Sequence, residues 1–197
     1  MFAKEYVRDI CSWKLLQMPI RLRGRVGLHP NVCQIDEFCF SHKPKHHRGH
    51  PARHPVWVFG IVDTSTTPAT GYMEVVQRRD AATLLPIIQA HVLPNTTIHS
   101  DEWRAYHRAI QLPNIAIHQT VNHSYHFRDP ATGVHTNHIE SYWNRVKLRL
   151  KRMKGCHRHM LPSYLDEIMW RERYGKPRQE GLQDLVADIA ARYPVPH

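Results

Sequence analysis

At 197 residues with 42% apolar content, the chain is sized for one well-buried domain. Its 27 Lys and Arg against 17 Asp and Glu leave a formal charge of +10, which favours polyanions, nucleic acid before anionic membrane. No apolar run approaches the ~20 residues needed to span a bilayer, and the N-terminus lacks a signal-peptide layout. Cys11, Cys33, Cys39 and Cys156 are scattered without a Cys-x-x-Cys pair, so they read as reduced intracellular thiols rather than a zinc site or disulfide framework.

Residues 3–18 read as a helix with Tyr6, Ile10, Trp13 and Leu16 near one face. A basic, Gly-containing connection covers 21–30. Strand-like runs at 32–40, 56–63 and 70–78 follow, the last two flanking a Thr/Pro-rich turn, which predicts an antiparallel meander. Asp80 reads as the N-cap of a helix over 81–92 that turns Leu84, Leu85, Ile88 and Val92 inward. A strand at 96–100, a short helix near 103–111 and a strand at 115–121 come next. The longest helix runs from about Asn137 to Lys154, with Ile139, Tyr142, Trp143, Val146 and Leu150 as its apolar stripe. Another covers 161–174, and a polar tail from 176 holds a helix at 180–192.

This order predicts an α/β fold, a mixed five-stranded sheet flanked by helices. It matches the ribonuclease H-like order, in which the first and fourth strands lie side by side. The expected divisions are an N-terminal helix and basic connection (1–30), a core (31–175) and a C-terminal tail (176–197).

Three acids stand out on this scaffold. Asp36 in Gln-Ile-Asp-Glu and Asp101 in His-Ser-Asp-Glu close strand-like runs, and Glu140 sits on the long helix. Adjacent strand side chains point to opposite faces, so only one of Asp36/Glu37 and one of Asp101/Glu102 can aim at a shared point. The Asp is preferred in both, because its short stem holds a ligand oxygen more rigidly. Neighbouring first and fourth strands would bring Asp36 and Asp101 together, with the late helix laying Glu140 across them. Mg²⁺ or Mn²⁺ takes oxygen ligands, and two such ions ~4 Å apart clamp the attacking and leaving oxygens of a phosphoryl transfer. The competing reading is three surface acids that hold no metal.

Basic residues surround this trio. Lys147 lies two helical turns beyond Glu140 on the same side of the helix, suited to a neighbouring DNA phosphate. Arg145, Arg149, Lys151, Arg152 and Lys154 extend the positive helix, about half of them as an ordinary solvated face. In the His-rich run 42–54, Lys43, Lys45, Arg48 and Arg53 supply fixed charge for a DNA backbone, while Pro44, Gly49 and Pro51 argue against helical zinc-binding geometry. His135, with His138 and His123, lies nearer the proposed site and could position water or phosphate, though each reads better as an ordinary core or surface histidine. Trp57, Trp103, Trp143 and Trp170 read mostly as core packing rather than base stacking.

Together, Gln-Ile-Asp36-Glu, Trp57-Val-Phe-Gly-Ile-Val, Ile98-His-Ser-Asp101-Glu-Trp-Arg-Ala-Tyr, Val121-Asn-His-Ser, Thr132-Gly-Val-His-Thr-Asn-His-Ile-Glu140-Ser-Tyr-Trp-Asn-Arg-Val-Lys147 and Tyr164-Leu-Asp-Glu-Ile-Met-Trp resemble the DDE transposases of the Merlin type and related bacterial insertion-sequence transposases, over about residues 5–175. The resemblance implies a ribonuclease H-like core, Mg²⁺ or Mn²⁺ at a two-metal site, and cut-and-paste transposition. Asp36, Asp101 and Glu140 map onto the catalytic, metal-holding triad and Lys147 onto the basic residue after the Glu. Some bacterial relatives use Asn as the third member, which makes Asn137 a secondary candidate. The implied partners are double-stranded DNA, as transposon ends and target, and further copies of the chain, with no membrane. A DNA partner implies the nucleus in a eukaryote, the cytoplasm or nucleoid in a bacterium. Such transposases usually carry an N-terminal zinc ribbon or helix-turn-helix, and here no such Cys/His pattern stands. The lead-in to the first Asp reads Arg-Gly-Arg-Val-Gly-Leu-His-Pro-Asn. The expectation is a shortened copy that keeps strand cleavage and transfer without specific end recognition. The alternatives are an inactive or domesticated remnant acting as a DNA-binding or interaction module, and a stand-alone ribonuclease H-type nuclease.

Overall fold

The structure is a computed structural model that describes residues 2–23, 32–40, 55–122, 128–154, 156–175 and 178–194. Its elements in chain order are α1 (Phe2–Gln17), β1 (Val32–Phe40), β2 (Val56–Asp63), β3 (Thr70–Val76), α2 (Ala81–His91), β4 (Thr96–Ser100), β5 (Ile115–Thr120), α3 (Asn137–Arg152), α4 (Leu161–Arg173) and α5 (Arg178–Arg192). Two compact units result, one over 21–148 and one formed by 1–20 with 149–197. No helix among the described residues is long and apolar enough to cross a membrane.

The first unit carries a five-stranded sheet in the order β3-β2-β1-β4-β5. β1, β2 and β3 form the antiparallel meander, and β4 and β5 join in parallel. This is the mixed, ribonuclease H-like arrangement that the element order predicts. β-Branched and aromatic residues build its centre: Ile35, Val58, Phe59, Ile61 and Ile98 are fully buried. Leu84, Ile88 and Val92 of the α2 segment are buried as expected, and Leu85 is half-buried. Asp80 caps α2 by accepting from the Thr83 backbone N–H at 3.0 Å.

The predicted helix near 103–111 is instead two 3-10 turns, Arg104–Tyr106 and Ala109–Gln111. Tyr106 closes the first turn and Ala109 opens the second, and both are fully buried.

In the second unit, α1 packs against α4 and α5. Its buried face carries Arg8, Ile10 and Cys11, whereas Tyr6 and Leu16 are 63% and 77% exposed, which corrects the stripe read from spacing. Polar contacts set the rotation. Ser12 Oγ donates to Asp166 at 2.6 Å, and Lys14 Nζ reaches Asp188 Oδ1 at 2.6 Å. Asp188 also accepts from the Trp170 indole at 3.1 Å, so one buried carboxylate ties three helices.

Candidate active site

The parallel ladder between β1 and β4 pairs Val32 with Thr97, Cys33 with Ile98 and Gln34 with His99. Continued one for one, this register brings Asp36 level with Asp101. On its other side Asp36 faces Gly60 of β2. A Cβ at Gly60 would overlap the Trp143 ring, so only glycine lets that indole of α3 come this close to the strand. Trp143 Nε1 then donates to Asp36 Oδ2 at 3.0 Å, and Phe38 packs edge-on against the same ring at 4.7 Å.

Gln34, two residues before Asp36 and therefore on the same sheet face, anchors the start of α3. Its Oε1 accepts from the backbone N–H groups of His138 and Ile139 at 3.0 and 3.1 Å, and its Nε2 donates to His135 O at 2.8 Å. These helix donors have no intrahelical partner and are ordinarily met by a local cap. Upstream, the chain turns at Gly133 (φ 72°), a left-handed position suited to glycine, with Asp129 Oδ1 accepting from the Ala131 and Thr132 N–H groups. Turn and anchor together deliver Glu140 above β1.

The electrostatics report the same convergence. The Asp36 carboxyl is pushed up to about 6, first by burial and then by the negative charges of Asp101 and Glu140, while the Glu37 backbone and the Trp143 indole hold it down. No cation stands among these main influences. A buried, mutually repelling set of hard oxygen donors is complementary to a divalent ion, so the residues fit Mg²⁺ or Mn²⁺. As placed, however, each carboxylate answers a partner of its own. Asp36 takes the Trp143 indole, Asp101 Oδ1 accepts from Trp103 N at 2.9 Å, and Glu140 Oε1 accepts from Thr136 Oγ1 at 3.3 Å. Among the described residues no three His, Cys, Asp or Glu side chains are gathered tightly enough to hold a metal ion. Like charges without a counter-ion have no reason to close up further.

The neighbouring acids go elsewhere. Glu102 accepts from Asn122 Nδ2 at 2.5 Å. Glu37, on the opposite sheet face, is pushed up to about 7 by burial. The Tyr106 hydroxyl faces it closely enough to lower its pKa, yet neither Glu37 Oε1 nor Tyr106 OH closes a hydrogen bond.

Lys147 is exposed, with Nζ 5.1 Å from the centroid of Phe38, so it projects on the Asp36 side of β1. Arg145 is half-buried: its guanidinium donates to Ala69 O and lies 5.1 Å over the Tyr142 ring. Lys151 is exposed near the end of α3. Lys43, Lys45, Arg48 and Arg53 lie outside the described residues, as does His123. Asn137 opens α3 as an exposed residue, its backbone N–H donating to His135 Nδ1 at 3.4 Å. Burial, followed by His138 and His99, keeps His135 below the ordinary histidine range, which favours the neutral ring. Sequence reasoning passed over Gln34, Gly60 and Trp143 as site residues. A lone Gly inside a strand pattern was the available signal at 60, since it marks a close approach.

The ISXO2-like transposase domain model matches residues 30–173. An uncharacterized transposase-like protein of Haemophilus influenzae is 33% identical over 100 residues, which cover 51% of this chain and 78% of that protein. Among solved structures, the catalytic core domain of BIV integrase is 15% identical with a TM-score of 0.46, covering 84% of this chain and 99% of that one. A chain of the simian T-cell lymphotropic virus intasome, seen by cryoEM in complex with PP2A regulatory subunit B56 gamma, is 17% identical with a TM-score of 0.42. That match covers 90% of this chain and 54% of the other, so this chain spans about half its length. Matched across 30–173 by the domain model, the chain belongs to the ISXO2-like transposases, a family of insertion-sequence DDE transposases.

Proposed function

We propose that this chain is the catalytic domain of a DNA transposase that cuts and joins DNA strands by metal-dependent phosphoryl transfer. One relationship supports the reading: the β1–β4 register, continued, sets Asp36 level with Asp101, Gln34 pins the start of α3, and the charges of Asp101 and Glu140 both raise the Asp36 carboxyl. Asp36, Asp101 and Glu140 would hold Mg²⁺ or Mn²⁺, whose charge, when bound, polarises the scissile phosphate and activates water or a DNA 3′-hydroxyl. Trp143 orients the Asp36 carboxylate through its indole N–H, and Lys147 holds an adjacent phosphate. Transposon ends and target DNA are the substrates, taken by a homo-oligomer. A second reading is a DNA-binding remnant without strand transfer, favoured by the separate hydrogen bonds that the three carboxylates make.

Metal titration tests the site. Mg²⁺ or Mn²⁺ should raise the melting temperature of the wild type, with about 2.7 kcal/mol of stabilisation at a hundredfold excess over Kd. Asp36→Asn/Asp101→Asn should lose that rise together with cleavage of duplex DNA. Equal shifts in both proteins would remove the case for metal here. Metal binding and duplex binding without cleavage would select the second reading.

A further inference from the structure

A cavity of about 480 Å³ that the chemistry above does not use is lined in part by Trp103, two residues beyond Asp101. Arg79, Ala81, Trp103 and Ala105 line it together with the exposed Arg104 and Arg108. The Arg79 guanidinium carbon lies 3.6 Å from the Trp57 ring centroid and 4.8 Å from that of Trp103. Trp103 Nε1 donates to Arg79 O at 3.1 Å, which holds the indole, and the Trp103 backbone N–H donates to Asp101 Oδ1, which ties the residue's main chain to the candidate site. It nonetheless stays 39% exposed. Core packing therefore does not explain it as it explains the buried Trp143 and Trp170.

Arg104 and Arg108 are exposed and make no ion pair among the described residues. The one acid on the lining, Asp80, is already engaged as the cap of α2 and by Arg78 Nε at 2.6 Å. His107 adds no negative charge, and Glu37 is the carboxylate that feels Arg79 from within. An apolar slot with an open indole and a rim of guanidinium groups matches one ligand chemistry: a flat heteroaromatic base joined to phosphates. We infer that this cavity binds an unpaired nucleotide of a DNA strand, the base on Trp103 and the flanking phosphates on Arg104 and Arg108. This rests on the DNA-processing reading and adds to it a single-strand contact beside Asp101.

Fluorescence anisotropy in EDTA tests this with a labelled blunt duplex, the same duplex carrying a short single-stranded overhang, and free thymidine monophosphate as competitor. The wild type should favour the overhang about fivefold or more, the lower range for stacking one base. Trp103→Ala and, separately, Arg104→Ala/Arg108→Ala should erase that preference, and Trp103→Phe should restore most of it. The arginine variant alters only exposed side chains and so keeps the test valid if Trp103→Ala misfolds. Blunt-duplex binding with no overhang preference, or a preference that survives both variants, overturns the inference and leaves the wider reading standing. Failure to bind either duplex overturns both. Competition by the free mononucleotide as strong as that by the overhang strand overturns the assignment to a DNA strand.

Discussion

Gln34 acts as the N-cap of a helix that begins a hundred residues later: its Oε1 receives the N–H of His138 at 3.0 Å, and with it that of Ile139. A strand side chain thereby sets the height of α3 over β1. Gln34→Leu should remove the acceptor and leave the His138 and Ile139 N–H groups without their partner at a largely buried helix start. A loss of about 2 kcal/mol or more is expected in urea denaturation. The exposed Asn137→Ala, at the same helix start, should change stability by less than about 0.5 kcal/mol. Equal losses from the two would refute the capping role.

Gly60 and Trp143 share one volume. Gly60→Ala should destabilise by about 1–3 kcal/mol, because its methyl must displace the indole. Trp143→Leu should be much less harmful in the Gly60→Ala background than in the wild type, a coupling that a double-mutant cycle measures. Trp143→Phe keeps an aromatic ring but loses the N–H, and NMR titration should find the Asp36 carboxyl higher still.

The metal-free protein should lose stability as pH rises. Asp36, at about 6, and Glu37, at about 7, hold protons in the folded state that ordinary carboxylates of the unfolded chain release near pH 4. The folded state thus binds more protons between about pH 4 and pH 7, and its stability falls through that window. For Asp36 alone the fall is on the order of 2–3 kcal/mol, from a shift that begins at 3.8 and ~1.4 kcal/mol per unit. Asp36→Asn and Glu37→Gln should each flatten the slope in denaturation series with EDTA, and saturating Mg²⁺ should reverse it. His99, His118 and His135, held low by burial, slope the other way. The difference between the wild type and these two variants is therefore the test, and no difference would contradict the burial of the acids.

Lys147 and Arg145 should separate by readout. Lys147→Ala should weaken duplex binding and lower the salt dependence of log K by about 0.9, with little change in melting. Arg145→Ala should mainly destabilise, by about 1–2 kcal/mol, since it removes the hydrogen bond to Ala69 and the packing on Tyr142. Anisotropy against KCl concentration, paired with thermal melts, decides which residue faces DNA.

Asp188 is the anchor of the second unit. Asp188→Ala strands the Lys14 ammonium and the Trp170 indole, and about 3 kcal/mol of stability should go. Chemical denaturation measures it, and a change below about 0.5 kcal/mol would mark the pair as merely solvated.

Local pattern made the strands and long helices legible in advance. The runs 32–40, 56–63 and 96–100 match β1, β2 and β4 residue for residue, because apolar β-branched segments between turn residues encode extended backbone directly. The stripe Ile139, Tyr142, Trp143, Val146 and Leu150 is buried throughout, since helical spacing alone puts it on one side. Spacing failed on α1, where a Lys14–Asp188 ion pair and a Ser12 hydrogen bond, both to distant residues, turned Tyr6 and Leu16 outward.

Residue order therefore determined which strands and long helices form and their sequence, and it set Asp101 just past the end of β4. Asp36, read as closing its run, stands instead in the middle of β1, because the strand runs on to Phe40 in its pairing with β2. Only the tertiary structure decided that Gln34 caps α3, that Gly60 admits the Trp143 ring, that Arg145 turns to Ala69, and that Trp103 stays open beside a basic cavity. The physical reason is range. Backbone preference and amphipathic spacing act within a few residues, whereas these contacts join positions 24 to more than 100 residues apart whose meeting exists only once the sheet has assembled.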